Sequence, residues 1–454
     1  MFVGIGVGIG RNRFAQGIFN AYNARVIADG GITEAGACVN AVSGLLLNAS
    51  LLLIPSGYKG GKAYAEIPTN GNGDLTWTRA STALRTNSLG LLESMGSGVP
   101  RLSYMYGSCP ALLLEPQRTN SIFRSEEFNN AAWTKTASSV TANSTISPDG
   151  TQNADTLIGD GTSSTHSVYQ SASLTSGANY TISVYAKKNT NNFLQIYGFS
   201  TGYGLNSWAN FDLNNGVVGS IGSSTTATIT NVGNGWYRCT ITIVAISSVL
   251  EAFVLNLITS ATSSRAESST LSTSVFLWGC QFEAGAYPTT YIPTTTASAT
   301  RIADSFSRSN IFTNGLITSS GGTWFLELRG NLQYTRDSFT TGIYISDTTG
   351  ISSNNINIRN GGGMSRLAIN KVISGVSTPL YLTTTDTTKI AIKWNGSTAD
   401  IFANGTKVIS ATAFTPTNME FLRGESTQVP LFIQAMALYP TPLSDTDCTT
   451  LTTL

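Results

Sequence analysis

The stretch Trp208–Val244, WANFDLNNGVVGSIGSSTTATITNVGNGWYRCTITIV, decides the fold. Phe211 and Leu213 alternate with polar neighbours, and Asn214-Asn215-Gly216 supplies a turn that tolerates positive φ. Val217 and Val218 follow, Thr225 to Thr230 alternates again, and Gly233-Asn234-Gly235 makes the next turn. Trp236 to Ile243 then alternates as a half-buried strand should, because successive strand side chains point to opposite faces. Four short strands with their turns written in are predicted, and they place this segment in the middle of a β-sandwich.

Further strands are predicted on either side, at Tyr180–Ala186, Phe193–Phe199, Ala252–Leu257 and Ser274–Phe282, giving a first sandwich over 120–293. Pro288, Pro293 and the Thr-rich run Thr294–Thr300 predict a linker over 294–321. A second all-β unit is predicted over 322–454. Its strands are Thr323–Leu328, Gly342–Ile345, Lys389–Trp394 and Phe432–Tyr439, with hairpin turns at Asn395-Gly396 and Asn404-Gly405. Leu443–Leu454 reads as a short helix capped by Ser444.

Upstream, residues 1–60 read as an arm and helix. Gly4, Gly6, Gly8 and Gly10 alternate with apolar residues, which suits an extended arm that orders against a partner. Helix is predicted from Phe14 to Leu53 and ends at Pro55-Ser56-Gly57. Residues 61–119 are rich in Gly, Pro and Ser with short strands at Leu75–Arg79 and Leu112–Leu114. They predict a loop-rich collar with no core of its own. The fold class is therefore mainly β: two tandem antiparallel sandwiches of jelly-roll type after a small N-terminal helical and irregular anchor.

Composition agrees with many strands and turns. Charged residues are 11% of the chain, against roughly 25% in ordinary soluble proteins. The formal net charge is +1, which gives no electrostatic case for nucleic acid or an anionic membrane. The apolar run Leu45–Pro55 is about half the ~20 residues needed to span a bilayer, and no export signal opens the sequence. The five cysteines lack CxxC spacing, so neither zinc nor a disulfide framework is predicted; Cys239 and Cys280 are expected to be buried thiols.

Several segments in order resemble a known family. They are LLLEPQRTN (Leu112–Asn120), SEEFNNAAWTK (Ser125–Lys135), SPDGTQNADTL (Ser147–Leu157), YTISVYAK (Tyr180–Lys187), FDLNNGVVG (Phe211–Gly219), GNGWYRCTIT (Gly233–Thr242) and LWGCQFEAGAYPTTYIPT (Leu277–Thr294). This series resembles the carbohydrate-binding-module-like jelly roll of phage fibre and other virion proteins. The C-terminal KIAIKWNGSTADIFANGTKV and ALYPTPLSDTDCTTL resemble a concanavalin/LamG-type sandwich. The upstream RVIADGGITEAGACVN to SGYKGGKAYAEIPTNGNGDLTWTRAST is similar to virion proteins of Bacteroidetes phages, crAss-like phages included.

The resemblance implies a virion-surface fibre, assembled in the host cytoplasm and anchored by its N-terminus on the major capsid or another virion protein. A head fibre is favoured, with a tail fibre or adhesin as the alternative and a polysaccharide depolymerase behind both. It implies a homotrimer, with a dimer as the alternative, and host glycans as possible ligands. The anchoring candidates are Phe2, Val3, Ile5, Val7, Ile9, Arg11, Arg13 and Phe14.

Catalysis finds little support in the residues. His166, the single histidine, has no nucleophile or metal motif beside it, and Glu126 and Glu127 are adjacent and so point apart. No catalytic residue, metal ligand or cofactor is expected; a structural Ca²⁺ on Asp149, Asp155 or Glu283 is the one ion considered. Glycan binding needs exposed rings. Trp208 and Tyr203 are the candidate contacts, whereas Trp133 reads as structural and Trp236 is expected to pack against the opposite sheet.

Overall fold

Two-residue turns with both φ angles positive match the twist of antiparallel strands, and Asn-Gly meets that demand at low steric cost. Asn234-Gly235 (φ 52° and 78°) and Asn404-Gly405 (φ 46° and 80°) do so in the computed structural model of the chain. The first joins Thr225–Gly233 to Trp236–Val244, and the second joins Thr398–Ala403 to Thr406–Ala413. The structure describes residues 6–34, 38, 44–318, 321–330, 342–347, 355–360, 366–373, 376–383, 387–414, 419–426 and 430–453. It is mainly β, with antiparallel sheets and a helix near the N-terminus.

All four strands read from the opening stretch form, at Trp208–Asp212, Val217–Ile221, Thr225–Gly233 and Trp236–Val244. The first two lie at the end of one six-stranded sheet and the last two at the end of another, so the chain changes sheet between Ile221 and Thr225. These sheets enclose one core, in which Ile182, Ile196, Phe211, Ile241, Leu255 and Phe282 are fully buried. Burying such a side chain contributes on the order of 1.5–3 kcal/mol each. The compact unit they form covers 89–93 and 118–301, and a two-stranded ribbon, Arg118–Asn120 with Ala299–Arg301, joins its two ends.

The other compact unit is discontinuous: 1–88, 94–117 and 302–454. Residues 61–119, read as a loop-rich collar, therefore do not stand apart: 61–88 and 94–117 belong to this unit. Leu51–Leu53 and Ala111–Leu114 both pair with Leu431–Tyr439 inside an eight-stranded sheet, and Leu75–Thr78 pairs with Ser305–Ser309 inside a ten-stranded one. Nor is 294–321 only a linker. Phe306, Ile311, Leu316 and Ile317 enter the core shared by both sheets, an alternation hidden by the Ser/Thr-rich setting. The sandwiches are thus nested, not tandem: the first is an insertion within the second.

The N-terminal region also differs from its expected form. Gly6–Ala28 is one continuous helix, so the Gly-rich stretch is helical from Gly6 onward. Glycine costs roughly 1 kcal/mol per helical position, which neighbouring turns can offset once a helix is nucleated. The helix stops at Ala28, and Ile32–Thr33 pairs as a strand with Gly57–Lys59. Tyr22 and Val26 are buried with Tyr64, and Phe19 lies with Leu52, Phe325 and Tyr439. Leu51–Leu53 and Gly57–Lys59 are strands of this unit, where helix was expected as far as Leu53. Val39 and Val42, read as helical, lie outside the described residues.

Cys38 and Cys109 form a disulfide across 71 residues of sequence, which local spacing gave no reason to expect. Cys239, Cys280 and Cys448 are buried free thiols. The predicted C-terminal helix forms at Asp445–Thr452, with the Ser444 side chain accepting from Asp447 N–H.

Two buried polar clusters tie the discontinuous unit together. In the first, Asp304 receives Arg79 Nη1 at 2.9 Å and the Arg101 guanidinium, and its Oδ2 accepts the Glu115 N–H at 2.9 Å. Arg101 Nη1 also meets Glu115 Oε2 at 2.7 Å. All four side chains are almost fully buried. Burial draws the Arg101 pKa down, but Asp304 and Glu115 outweigh it and hold it above its ordinary value. In the second cluster, Glu66 accepts from Ser56 Oγ and from Ile54 N–H at 2.7 Å, and the Ser56 and Tyr22 hydroxyls hydrogen-bond each other at 3.0 Å. Burial, opposed by these hydrogen bonds, pushes the Glu66 carboxyl up to about 8.

Two outcomes follow. Asp304→Ala would leave two buried guanidinium groups short of their counter-charge. It is expected to lower the stability of the discontinuous unit by about 3–5 kcal/mol, read as a shift in its urea transition. An unchanged midpoint would contradict the role given to Asp304. For Glu66 the folded pKa lies above the unfolded one. Its contribution is therefore fully present below about 4.5 and is lost as pH rises through about 8. Glu66→Gln should flatten the melting temperature between pH 5 and 8.5 and make the variant the more stable protein above pH 8. Parallel pH profiles for parent and variant would refute this.

Candidate functional site

The two outer faces of the inserted sandwich are finished differently. Behind the sheet containing Asn179–Lys188, Tyr185, Trp278 and Tyr291 cluster with centroids 4.9–6.0 Å apart, and Arg238 lies 5.4 Å from the Tyr185 ring. Arg238 Nη1 donates to Thr289 O at 2.7 Å, which brings the segment after Ala284 onto this face. Trp236 is buried here, its Nε1–H donating to Ile146 O at 3.0 Å. It lies on the outer side of its strand, because Tyr237, Cys239 and Ile241 face the core. Its ring therefore does not pack against the opposite sheet as expected.

The other sheet keeps part of its outer face open. Val168, Leu255, Ile196 and Ala209 face the core, so the residues between them face outward. Antiparallel register sets Tyr169, Val254, Tyr197 and Trp208 in one row across four neighbouring strands. The adjacent row is Ser167, Asn256, Gln195 and Asn210. Side chains directly opposite one another across strands are close neighbours, so each row is a continuous strip.

The polar row holds down the loop that follows Leu257. Asn210 Nδ2 donates to Ser263 O at 2.7 Å and Gln195 Nε2 donates to Ser264 O at 2.9 Å. Gln195 Oε1 accepts the Ala266 N–H at 2.7 Å. That bond fixes Ala266 at φ 52°, a left-handed conformation uncommon for alanine. The loop so held sets the Arg265 guanidinium 4.9 Å from the Tyr197 ring centroid, with Nη2 donating to Gly198 O at 2.6 Å. Arg265 Nε is buried without a hydrogen-bond partner, a condition that calls for a physical explanation in a native fold.

Tyr197 and Val254 in the middle of the aromatic row are buried, and the rings that reach solvent beside this cation are Tyr169, Trp208 and Phe199. Phe199 is 38% exposed, and Tyr169 and Trp208 are half-buried. Phe199 lies 5.9 Å from Tyr169 and 6.3 Å from Tyr197, the latter pair stacked at 23°. Burial raises the Tyr197 hydroxyl pKa, with Arg265 opposing, so the phenol stays protonated at neutral pH. A planar apolar surface flanked by a guanidinium can stack on one face of a ring while donating hydrogen bonds at its edge.

Of the two predicted contacts, Trp208 belongs to this row. Tyr203 does not: it is 1% exposed, in the core, with its ring against Gly198. The turn of helix Ser200–Tyr203 swings it inward, and burial raises its hydroxyl pKa far above the usual range. Phe2, Val3 and Ile5 lie outside the described residues, and Val7, Ile9, Arg11, Arg13 and Phe14 are backbone positions of the helix Gly6–Ala28. Sequence reading missed Tyr169, Tyr197, Phe199 and Arg265. The signals were present: aromatic residues out of phase with the core positions, and the one basic residue in ITSATSSRAESST.

The remaining chemical candidates are engaged in holding the fold. His166 is fully buried, with Nδ1 2.7 Å from Ala137 O and Nε2 2.9 Å from Ser269 O. Asp212 accepts the N–H groups of Asn214 and Asn215 in the turn that follows it. Glu283 accepts Thr289 N–H and Oγ1–H, and Asp155 accepts Asn143 N–H and Asn129 N–H. Asp149 caps its own turn through Thr151 N–H. Trp133 is buried and donates to Arg124 O at 2.9 Å, as a framework residue would. Among the described residues, no three of His, Cys, Asp and Glu gather to hold a metal ion.

No family model matches the chain, and no curated protein matches it. Solved structures do. The Ruminococcus gnavus IT-sialidase CBM40 is 14% identical with a TM-score of 0.24, over 30% of this chain and 83% of that one. The NanB sialidase from Streptococcus pneumoniae is 13% identical at 0.26, over 33% of this chain and 26% of that one. The mouse laminin alpha1 chain, domains LG4-5, is 7% identical at 0.20, over 59% and 85%. Similarity at this level carries no functional argument.

Proposed function

We propose that the chain is a structural virion protein of a tailed phage, a head fibre whose inserted sandwich binds host-surface glycans on the solvent-facing rings of Tyr169, Phe199 and Trp208 beside Arg265. The observation that carries the glycan part is Arg265, held over Tyr197 by a pinned, strained loop beside half-open aromatic rings. Sugar rings present an apolar face and a polar edge, and this surface offers a partner to each. The virion part rests on the ordered segments between Leu112 and Thr294 and on the upstream block. In this reading the N-terminal part of Gly6–Ala28 and the residues before it attach to the major capsid or another virion protein. The fibre is a homotrimer assembled in the host cytoplasm and displayed on the virion surface.

The glycan reading is tested by surface plasmon resonance of the full chain on purified host capsular polysaccharide, alongside a glycan array. Trp208→Ala and Arg265→Ala are each expected to weaken binding by about tenfold, near 1.4 kcal/mol, with melting temperature little changed for Trp208→Ala. No binding by the parent on either surface, or parent-like binding by both variants, would remove it. Locating the chain in a virion map distinguishes a head fibre from a tail adhesin.

A further inference from the structure

The discontinuous unit carries a cleft of about 160 Å³ on the outer face of its ten-stranded sheet. Its floor is set by register. Thr76, Ser307, Arg423 and Tyr344 align across four neighbouring strands, and Thr78, Ser305 and Glu425 form the next row. Trp77, Phe306 and Ile343 beside these rows, and Leu422 next to Arg423, face the core, so both rows point outward. Apart from Phe306, whose side chain belongs to the core, and Gly424, every residue lining the cleft carries a polar group.

This lining constrains what can bind. Its one cation and one anion, Arg423 and Glu425, balance, which favours a ligand without net charge. Four Ser/Thr hydroxyls can each donate or accept, and Thr78 Oγ1 and Ser305 Oγ already meet at 2.6 Å. The Arg423 guanidinium lies 5.3 Å from the Phe421 ring, which fixes its plane, and it hydrogen-bonds the Tyr344 hydroxyl. Burial raises the Tyr344 pKa, with Glu425 adding to it, so the phenol keeps its proton and can donate it. The volume is below the ~300–1,000 Å³ of drug-sized pockets, which suits a single ring.

We propose that this cleft is a second, separate binding site for one neutral polyhydroxylated ring, with Glu425 accepting from ring hydroxyls and Arg423, Tyr344 and the Ser/Thr row donating to them. It does not rest on the aromatic row of the inserted sandwich. A free amino acid offers opposite charges to Arg423 and Glu425 but gives the Thr76 and Ser307 hydroxyls no ligand partner, whereas a polyhydroxylated ring can meet them as well.

The test uses the full chain carrying Trp208→Ala and Arg265→Ala, so that the inserted sandwich contributes nothing. The probes are the methyl glycosides of glucose, galactose, mannose and N-acetylglucosamine, with glycine as the zwitterion. Saturation-transfer NMR and calorimetry are expected to detect at least one glycoside. Arg423→Ala and the cleft-filling Ser307→Phe should each weaken it by about tenfold or more. Ser307→Phe retains Arg423, so it reports even if Arg423→Ala fails to fold. The proposal is overturned if no glycoside is detected, if Ser307→Phe binds like its parent, or if glycine alone occupies the cleft.

Discussion

The Asp304 carboxylate is the constraint on which the nested arrangement depends. It sits three residues after the inserted sandwich ends and joins Arg79, Arg101 and the Glu115 backbone, all without solvent. The Asp304 N–H in turn donates to Glu115 O at 2.9 Å, so the departing and returning strands of the discontinuous unit are fastened to each other. Insertion into a sandwich is tolerated when the host chain's cut ends are adjacent and the guest's termini are paired. Both conditions hold: the guest closes on its own ribbon, Arg118–Asn120 with Ala299–Arg301. Buried ion pairs contribute little net stability over apolar packing, but each partner becomes costly to remove once the others are in place. Their value here is in specifying which segments come together.

Both units leave one sheet face for something other than packing. In the inserted sandwich, one outer face is closed by Tyr185, Trp278, Tyr291 and the Thr289 segment. The other uses its amide row to hold a loop and leaves an aromatic row beside Arg265. In the discontinuous unit, Phe325, Ala437 and Tyr439 on the eight-stranded sheet pack with Phe19 of the N-terminal helix and Cys448 and Leu451 of the C-terminal helix. The ten-stranded sheet carries the polar cleft on its outward side. In each unit core-facing positions alternate with outward ones along these strands, so the chemistry of the outward rows is set separately from that of the core.

Secondary structure was largely legible because its signals are local. Turn pairs at Asn234-Gly235 and Asn404-Gly405, the alternation of Trp236–Ile243 and the Ser444 cap each depend on neighbours within a few residues. Three failures share one cause. The Cys38–Cys109 bridge, the pairing of Leu51–Leu53 with Leu431–Tyr439 and the burial of Phe306 all join residues far apart in sequence. Composition then misled: a Ser/Thr-rich segment read as a linker, and a Gly-rich one as an extended arm.

The site shows the same division. Trp208 could be chosen from sequence because it lies in a turn-rich stretch, yet Tyr203, five residues earlier in the same stretch, is core because one turn of helix reverses its direction. Sequence by itself determined the β class, the strands, most turns and the alternation that separates core from surface, since these follow from backbone geometry over a few residues. Tertiary structure alone decided that one sandwich is inserted in the other, and that Arg265 lies over Tyr197. It also decided that Arg423 and Glu425 share a cleft with Thr76 and Ser305. Those outcomes depend on strand register across long loops, and register is fixed by which distant rows bury each other.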